Sequence, residues 1–446
     1  MSKALSIKII TLLAIALALL IPITMVKSKV VERQKYRNDA VSEIEESRTG
    51  EQTLITPILV LKYTLDQSVL RSGEFNRYQH QPETRHVTIL ADTLTGNINT
   101  KNSELQKGIY HIPIYQVDIQ LQGKFSLLSI ERAVKEIRQQ PDFRAFDNAY
   151  LTFQTSDNRG IQSPPLLKVN GNNLPIISSS PLPFLSSGLH SPLNNMGQYK
   201  EDVNFDLNMQ LSGMAQFSLT PMAHQADISL QSNWPHPNFT GASLPVQRTI
   251  KSDGFSARWN STDLAGQYGS ALDQCNESLA HCNNLNTLSY GVRFIEPVDI
   301  YLKSERAIKY AMLFIGLSFC VFFLFEVIRE IRIHPIQYAF VGMSFAVFYL
   351  LLLSLSEHID FSWAYGISVL ACCSLLMLYL RHVLNRFSTA LIFSGALACL
   401  YSVLFVILQA EDMAQLMGTI LVFAILAALM ISTRKFDWYN ITNFDK

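Results

Sequence analysis

The chain is predicted to be a membrane protein, combining an α-helical bundle of six transmembrane helices with a large β-rich α+β domain outside the bilayer. Three observations predict this. Five apolar segments crowd the last third, at 308–328, 338–355, 361–380, 387–408 and 414–431. A sixth lies near the start, at 9–26. Between them the apolar residues recur every second position rather than every third or fourth, which is the period of strands.

Each apolar segment approaches the roughly 20 residues a helix needs to cross a hydrocarbon core. Only a few polar residues separate neighbours in the C-terminal block, so those helices must alternate in direction. The 446 residues carry 36 basic and 36 acidic side chains. No basic excess points to nucleic acid, and no acidic run suggests a disordered tail. The hydrophobic fraction of 48% is near the soluble average because a polar middle dilutes the apolar ends.

Lys3 and Lys8 precede the first apolar segment, as in a signal peptide. The following Thr24-Met25-Val26-Lys27-Ser28-Lys29 has no small-x-small cleavage pattern, so residues 1–29 read as an uncleaved signal anchor. Pro22 is tolerable near the end of such a helix. Residues 30–47 continue helically as a stalk, with Val30, Val31, Ala40, Val41 and Ile44 on a partial apolar face and charges of alternating sign. The stalk opens a domain over 30–306.

Within that domain, strands are expected at 54–61, 86–90, 112–125, 150–153, 203–211, 216–219 and 226–230. One helix interrupts at 129–140, its face formed by Ile130, Ala133, Val134 and Ile137 and its end by Pro141. Pro, Ser, Gly and Asn dominate 163–200, which marks long loops. Similar short motifs at 119–123 and 209–213, and at 151–155 and 228–232, suggest two related β-rich halves, although strand patterns converge easily. The bundle then spans 307–432 and a tail 433–446.

Lys and Arg in short loops mark the cytoplasmic side. Arg329 and Arg332, Arg381 and Arg386, and Arg434 and Lys435 follow alternate helices, whereas the loops at 356–360 and 409–412 carry neither residue type. Both termini are thereby assigned to the cytoplasm and the domain to the far side. Lys27, Lys29, Arg33, Lys35 and Arg37 vote the other way, but the three downstream loops agree with one another. Cys275 and Cys282 share a polar loop. Outside the cytoplasm they are expected as a disulfide, inside it as free thiols. Metal binding is the weakest reading, since only His281 is at hand.

A series of ordered motifs resembles one family. It includes Ser232-Asn-Trp234-Pro235-His236-Pro237-Asn-Phe239, Phe294-Ile-Glu296-Pro297-Val298-Asp299-Ile-Tyr301, Arg306-Ala307-Ile-Lys309-Tyr310, His334-Pro335-Ile-Gln337-Tyr338 and the run from Leu350 to His358. Together with Val31-Glu32-Arg33 and Tyr36-Arg37 these are similar to the CreD family of bacterial inner-membrane proteins, across essentially the whole chain. The resemblance implies a periplasmic domain and a role in cell-envelope integrity, colicin tolerance and stress response, with no established reaction. The chain departs from the family pattern at the Cys275–Cys282 loop and at Pro221-Met222-Ala223, where a glycine is usual.

Candidate residues fall into three groups. Trp234, Pro235, His236, Pro237 and Phe239 form an extended segment, because each proline disfavours helix in the residue before it. It is a candidate recognition ridge, although large aromatics more often pack into a core. Glu296, Pro297, Asp299, Arg306 and Lys309 form a charged joint at the entry to the second membrane helix, with ordinary interfacial charge as the commoner explanation. At the bundle edges lie Glu326, Arg329, His334, Glu357 and His358. Glu326 is the acid deepest in an apolar stretch, and Arg329, three residues on, is its expected partner.

No catalytic, nucleotide-binding or metal-binding motif occurs. The resemblance implies a function in envelope maintenance, and the missing motifs support the expectation that it is non-enzymatic and uses no cofactor. The expected partners are membrane lipid and a periplasmic or envelope protein, with no nucleic acid. The alternatives are a transporter or lipid-handling permease using Glu326, and a hydrolase built around His236.

Overall fold

The computed structural model describes residues 3–71, 77–193, 201–277, 282, 284–294, 300–329, 333–383, 387–409 and 414–434. The chain forms two compact units, Met1–Asp39 with Val298–Lys446, and Ala40–Pro297.

In the first unit, helix Lys3–Ala18 is followed after one residue by helix Leu20–Ser47. The interruption lies one turn before Pro22, whose missing N–H and bulky ring oppose a regular ladder there. Bonds from Leu19 N–H to the Ile15 carbonyl at 2.9 Å, and from Ile23 N–H to the Leu19 carbonyl at 3.4 Å, carry the helix past it. The expected anchor and stalk are thus one helical run, Ile7–Ser47.

Among the described residues, four helices are long and apolar enough to cross a membrane: Ile7–Ser47, Pro335–Ser356, Phe361–His382 and Ala390–Gln409. A fifth results if Ile300–Lys309 and Ala311–Phe323, bent by 43° at Tyr310, form one span. The last expected segment is a 20-residue helix, Ala414–Thr433. At Gly342 the absent side chain lets Leu19 reach the helix Pro335–Ser356, since an added Cβ would collide with the Leu19 side chain.

The second unit is built from two sheets, of seven and eight strands among the described residues. In the first, Gln52–Arg71 is the central strand, flanked by Phe143–Thr155, Arg77–Ile89 and Gln216–Thr220. In the second, Ala91–Lys107, Tyr110–Phe125 and Val203–Met214 run antiparallel, and Ala223–Ser232 lies parallel to Ala91–Lys107. The chain passes between the two sheets repeatedly, and two of its passages from the first to the second are at Leu90 and at Pro221-Met222. These crossings are adjacent: Ala91 N–H donates to the Met222 carbonyl at 3.2 Å, and Met222 N–H donates to Thr56 Oγ1 at 2.7 Å.

One cluster of buried side chains draws on both sheets, with Leu59, Leu151 and Phe217 from the first and Ile98, Val117, Leu207 and Trp259 from the second. Alternation explains which residues face it. Along Val203–Met214 the odd-numbered residues from Val203 to Gly213 point inward and the intervening ones face outward or sit half-exposed. Ala91–Lys107 follows the same rule with Leu94, Gly96, Ile98, Thr100 and Asn102 inside. Its polar inward positions hid this strand from the sequence reading.

The interrupting helix is Leu127–Arg138, two residues earlier than expected, because Ser126 accepts the Ser129 N–H and caps it. Ile130 and Ile137 are its buried residues. Among its described residues the region 163–200 contains three short strands, Leu166–Val169, Asn172–Leu174 and Gly188–Leu193. Residues 119–123 pair with 205–209 in adjacent strands of one sheet, whereas 151–155 and 228–232 belong to different sheets. The end of the stalk packs on this unit, with Ile44 buried beside Ile112 and Met214, and Arg159 Nη1 donating to the Glu46 carbonyl at 2.7 Å.

Candidate functional site

The bundle unit gathers its charges at two levels. Glu326, near the end of helix Ala311–Arg329, is 3% exposed. A carboxylate so placed is costly unless paired and hydrogen-bonded. Lys8 forms its ion pair, Tyr338 Oη donates to Oε2 at 2.7 Å, and the Ile333 N–H donates to Oε1 at 3.1 Å. Lys8 Nζ also donates to the Ile333 carbonyl at 3.2 Å. Three parts of the chain thus converge on one carboxylate: the N-terminal helix, the Ile333 backbone and the helix Pro335–Ser356. The expected partner, Arg329, has its side chain outside the described residues. The observed partner Lys8 was read only as a flanking charge. A lysine abutting an apolar run, with one acid near the end of another run, is the signal that would have found it.

His334 starts the helix Pro335–Ser356. Its Nδ1 accepts the Ile336 N–H at 3.3 Å, and Gln337 Oε1 accepts the His334 N–H at 3.2 Å, closing a capping box with Pro335 in the first turn. The His-Pro-x-Gln-Tyr motif is therefore a helix start that delivers Tyr338 to Glu326.

The second level is at the other end of that helix. Arg33 Nε lies 3.5 Å from Glu357 Oε1, and Tyr301 Oη donates to the same oxygen at 3.4 Å. Lys303, 8% exposed, sits over the Phe361 ring at 5.6 Å. His358 is exposed. Lys8 and Arg33 are 25 positions apart, or roughly 37 Å of helix at 1.5 Å per residue. That exceeds a hydrocarbon core of about 30 Å. The N-terminal helix is therefore tied to the bundle by one ion pair at each end of its apolar stretch.

Of the joint, Glu296, Pro297 and Asp299 lie outside the described residues. Arg306 and Lys309 are on helix Ile300–Lys309, where Lys309 pairs with Glu305 at 3.3 Å. Cys275 and Cys282 are joined as a disulfide with Cα atoms 4.7 Å apart, and Cys275 packs with Tyr268, Leu272 and Leu285.

In the β-rich unit, Trp234 is half-buried and packs against the shared core, while Pro235 is half-buried and His236 exposed. Pro237 begins the strand Pro237–Gly241, which pairs with Tyr290–Phe294. Phe239 meets Phe255 at 5.5 Å and Trp259 at 5.8 Å, and Trp259 stacks on Tyr290 at 5.5 Å. Burial pushes the Tyr290 phenol well above its ordinary range. Among the described residues His236 makes no hydrogen bond or ion pair, and no three His, Cys, Asp or Glu side chains are grouped to hold a metal.

Structural likenesses to solved proteins are slight. An M1 zinc metallopeptidase from Deinococcus radiodurans matches with a TM-score of 0.17 and 4% identity over 38% of each chain. Native yeast LTA4 hydrolase matches at 0.20 and 6% over 51% of this chain and 35% of that one. Neither value supports an argument about fold or activity. Sequence relationships are extensive. The family model described as inner membrane protein CreD matches residues 4–439. The Escherichia coli (strain K12) inner membrane protein CreD is 32% identical over 439 residues, covering 97% of this chain and 93% of that protein. Matched by the family model over residues 4–439 and by this relative over nearly the whole length of both proteins, the chain belongs to the CreD family of inner-membrane proteins.

Proposed function

We propose that the protein is a non-enzymatic, six-span inner-membrane protein that maintains the cell envelope, with both termini in the cytoplasm and its β-rich unit in the periplasm. In this reading the β-rich unit binds an envelope component, and the bundle anchors and orients it. The observation that carries the anchoring role is the pair of charge contacts, Lys8 with Glu326 and Arg33 with Glu357. Glu326 and Glu357 each meet a basic side chain from the N-terminal helix, which favours an anchor over a bundle that moves a solute.

Deleting the gene and measuring detergent sensitivity, colicin tolerance and uptake of a hydrophobic dye tests the role. Unchanged envelope permeability would refute it. A reporter fused after Leu264 tests the orientation, which fails if the reporter is active only in the cytosol. The transporter alternative would gain if Glu326→Gln abolished function while insertion and thermal stability stayed normal.

A further inference from the structure

A groove of about 410 Å³ runs along the helix Pro335–Ser356 on the side where the N-terminal helix passes. Its size falls within the roughly 300–1,000 Å³ of small-molecule sites. Val347, Leu350 and Leu351 form its apolar wall. They stand at i, i+3 and i+4, one face of one helix. Lys29 and Arg33, also four apart and so on one face of theirs, form the rim with Glu357. Val347 and Leu350 are 44% and 50% exposed.

The dimensions and charges of this groove describe one kind of occupant. From Val347 to Glu357 is 10 residues, or roughly 15 Å of helix. That is half of a hydrocarbon core of about 30 Å, the depth of one leaflet. The groove therefore runs from near mid-bilayer, at its apolar wall, to the headgroup level, where its charged rim lies.

At the rim two cations and one carboxylate line the groove, and a second carboxylate, Glu32, reaches Lys29 from outside the lining. Arg33 approaches Glu357 only at 3.5 Å through Nε, longer than the ~2.7–3.2 Å of a close N–H···O bond. Lys29 is engaged at 2.7 Å by Glu32, but both side chains are exposed, 60% and 40%. Such pairs contribute about 0–1 kcal/mol and exchange readily for a better anion. The surrounding stretch also carries Lys27, Lys35 and Arg37, the basic cluster that runs against the loop-charge rule.

We infer that this groove is a binding site for an anionic glycerophospholipid. One acyl chain lies along Val347, Leu350 and Leu351, and the phosphate is held by Lys29 and Arg33. Under the orientation proposed above the lipid belongs to the outer leaflet of the inner membrane. The binding itself needs only that the helix spans the bilayer, so it can succeed or fail independently of that orientation. The basic cluster then has a role as a phosphate rim rather than as a topology signal.

The test is native mass spectrometry of the full-length protein in detergent, titrated separately with phosphatidylglycerol, phosphatidylethanolamine and inorganic phosphate. Phosphatidylglycerol is expected to be retained about tenfold better than phosphatidylethanolamine. Lys29→Gln should erase most of that preference. Leu350→Trp, at a half-exposed position, should fill the groove and cut phosphatidylglycerol retention several-fold with the charges intact. Thermal melting of both variants checks that they remain folded. Equal retention of the two lipids would overturn the inference, as would phosphatidylglycerol binding undiminished in both folded variants. Displacement of the lipid by millimolar inorganic phosphate would overturn it too, because it would leave an anion site without a lipid groove.

Discussion

Lys8 and Glu326 stand 318 positions apart in sequence and form one ion pair, completed by Tyr338 and the Ile333 backbone. The pair joins the start of the N-terminal helix to the C-terminal block and satisfies the buried carboxylate. Removing either partner should leave the other uncompensated. Glu326→Gln and Lys8→Met are each expected to lower stability by about 3 kcal/mol, the low end for a broken buried pair, because the Lys8 side chain is still 24% exposed. The double variant should lose less than the sum. Thermal melting of the four proteins in detergent measures this, and strict additivity would show that the two residues do not act as a pair.

The β-rich unit should carry a pH response centred on His86. Burial lowers its pKa below the ordinary 6.5, and Lys62, directly opposite on the neighbouring strand, lowers it further, while Asp147 opposes them. The folded state therefore favours the neutral imidazole. Its contribution to stability is fully present above pH 6.5 and is lost as the pH falls through the depressed value. In an NMR titration Lys62→Met should move the His86 midpoint upward, toward 6.5. An unmoved midpoint would exclude Lys62 as a cause.

Gly291 lies between two strands of the first sheet, opposite Ser218 on one side and Thr240 on the other. An added Cβ would collide with the Phe217 carbonyl oxygen and come within 2.7 Å of Ser218 Cα, both backbone atoms that cannot rotate away. Gly291→Ala should cost about 1–3 kcal/mol, as overpacking does. Gly316→Ala is the matched control, since nothing lies within 4 Å of its added carbon. Equal melting temperatures for the two variants would contradict the crowding.

The Cys275–Cys282 bridge closes a loop with a sequence separation of 7. Restricting a ring of that size in the unfolded chain is worth about 2–3 kcal/mol. Alkylation of protein taken directly from cells should label neither cysteine until a reductant is added, and Cys275→Ser should melt earlier. Labelling of both without reductant would mean that the bridge is absent in the cell, and with it the oxidising location expected for the loop.

How much was legible follows from how local each signal is. The apolar segments, the stalk, the helix stopped by Pro141 and the strands with strict alternation were readable, because length and period are properties of short windows. The strand Ala91–Lys107 was not. Its inward positions include Thr100 and Asn102, which bond to partners on another strand: Thr100 Oγ1 donates to the Gln231 carbonyl, and Asn102 Oδ1 accepts from Ser232 Oγ. A buried polar residue of this kind looks exposed until its partner is known. The strand Pro237–Gly241 was hidden for another reason, since prolines are tolerated only at strand starts and sheet edges, and this strand is an edge.

The family motifs divide in the same way. His334-Pro335-x-Gln337 is a capping box whose groups meet within four residues, so its role follows from local geometry. Glu326 showed its burial through its apolar neighbours, but Lys8, the counter-charge that meets it, comes from the far end of the chain. Periodicity determines which face of an element is apolar, and therefore what class of fold must form to bury it. Which charge meets which is decided only when distant elements are brought to the same depth, because an ion pair depends on separation in space and carries no trace of separation along the chain.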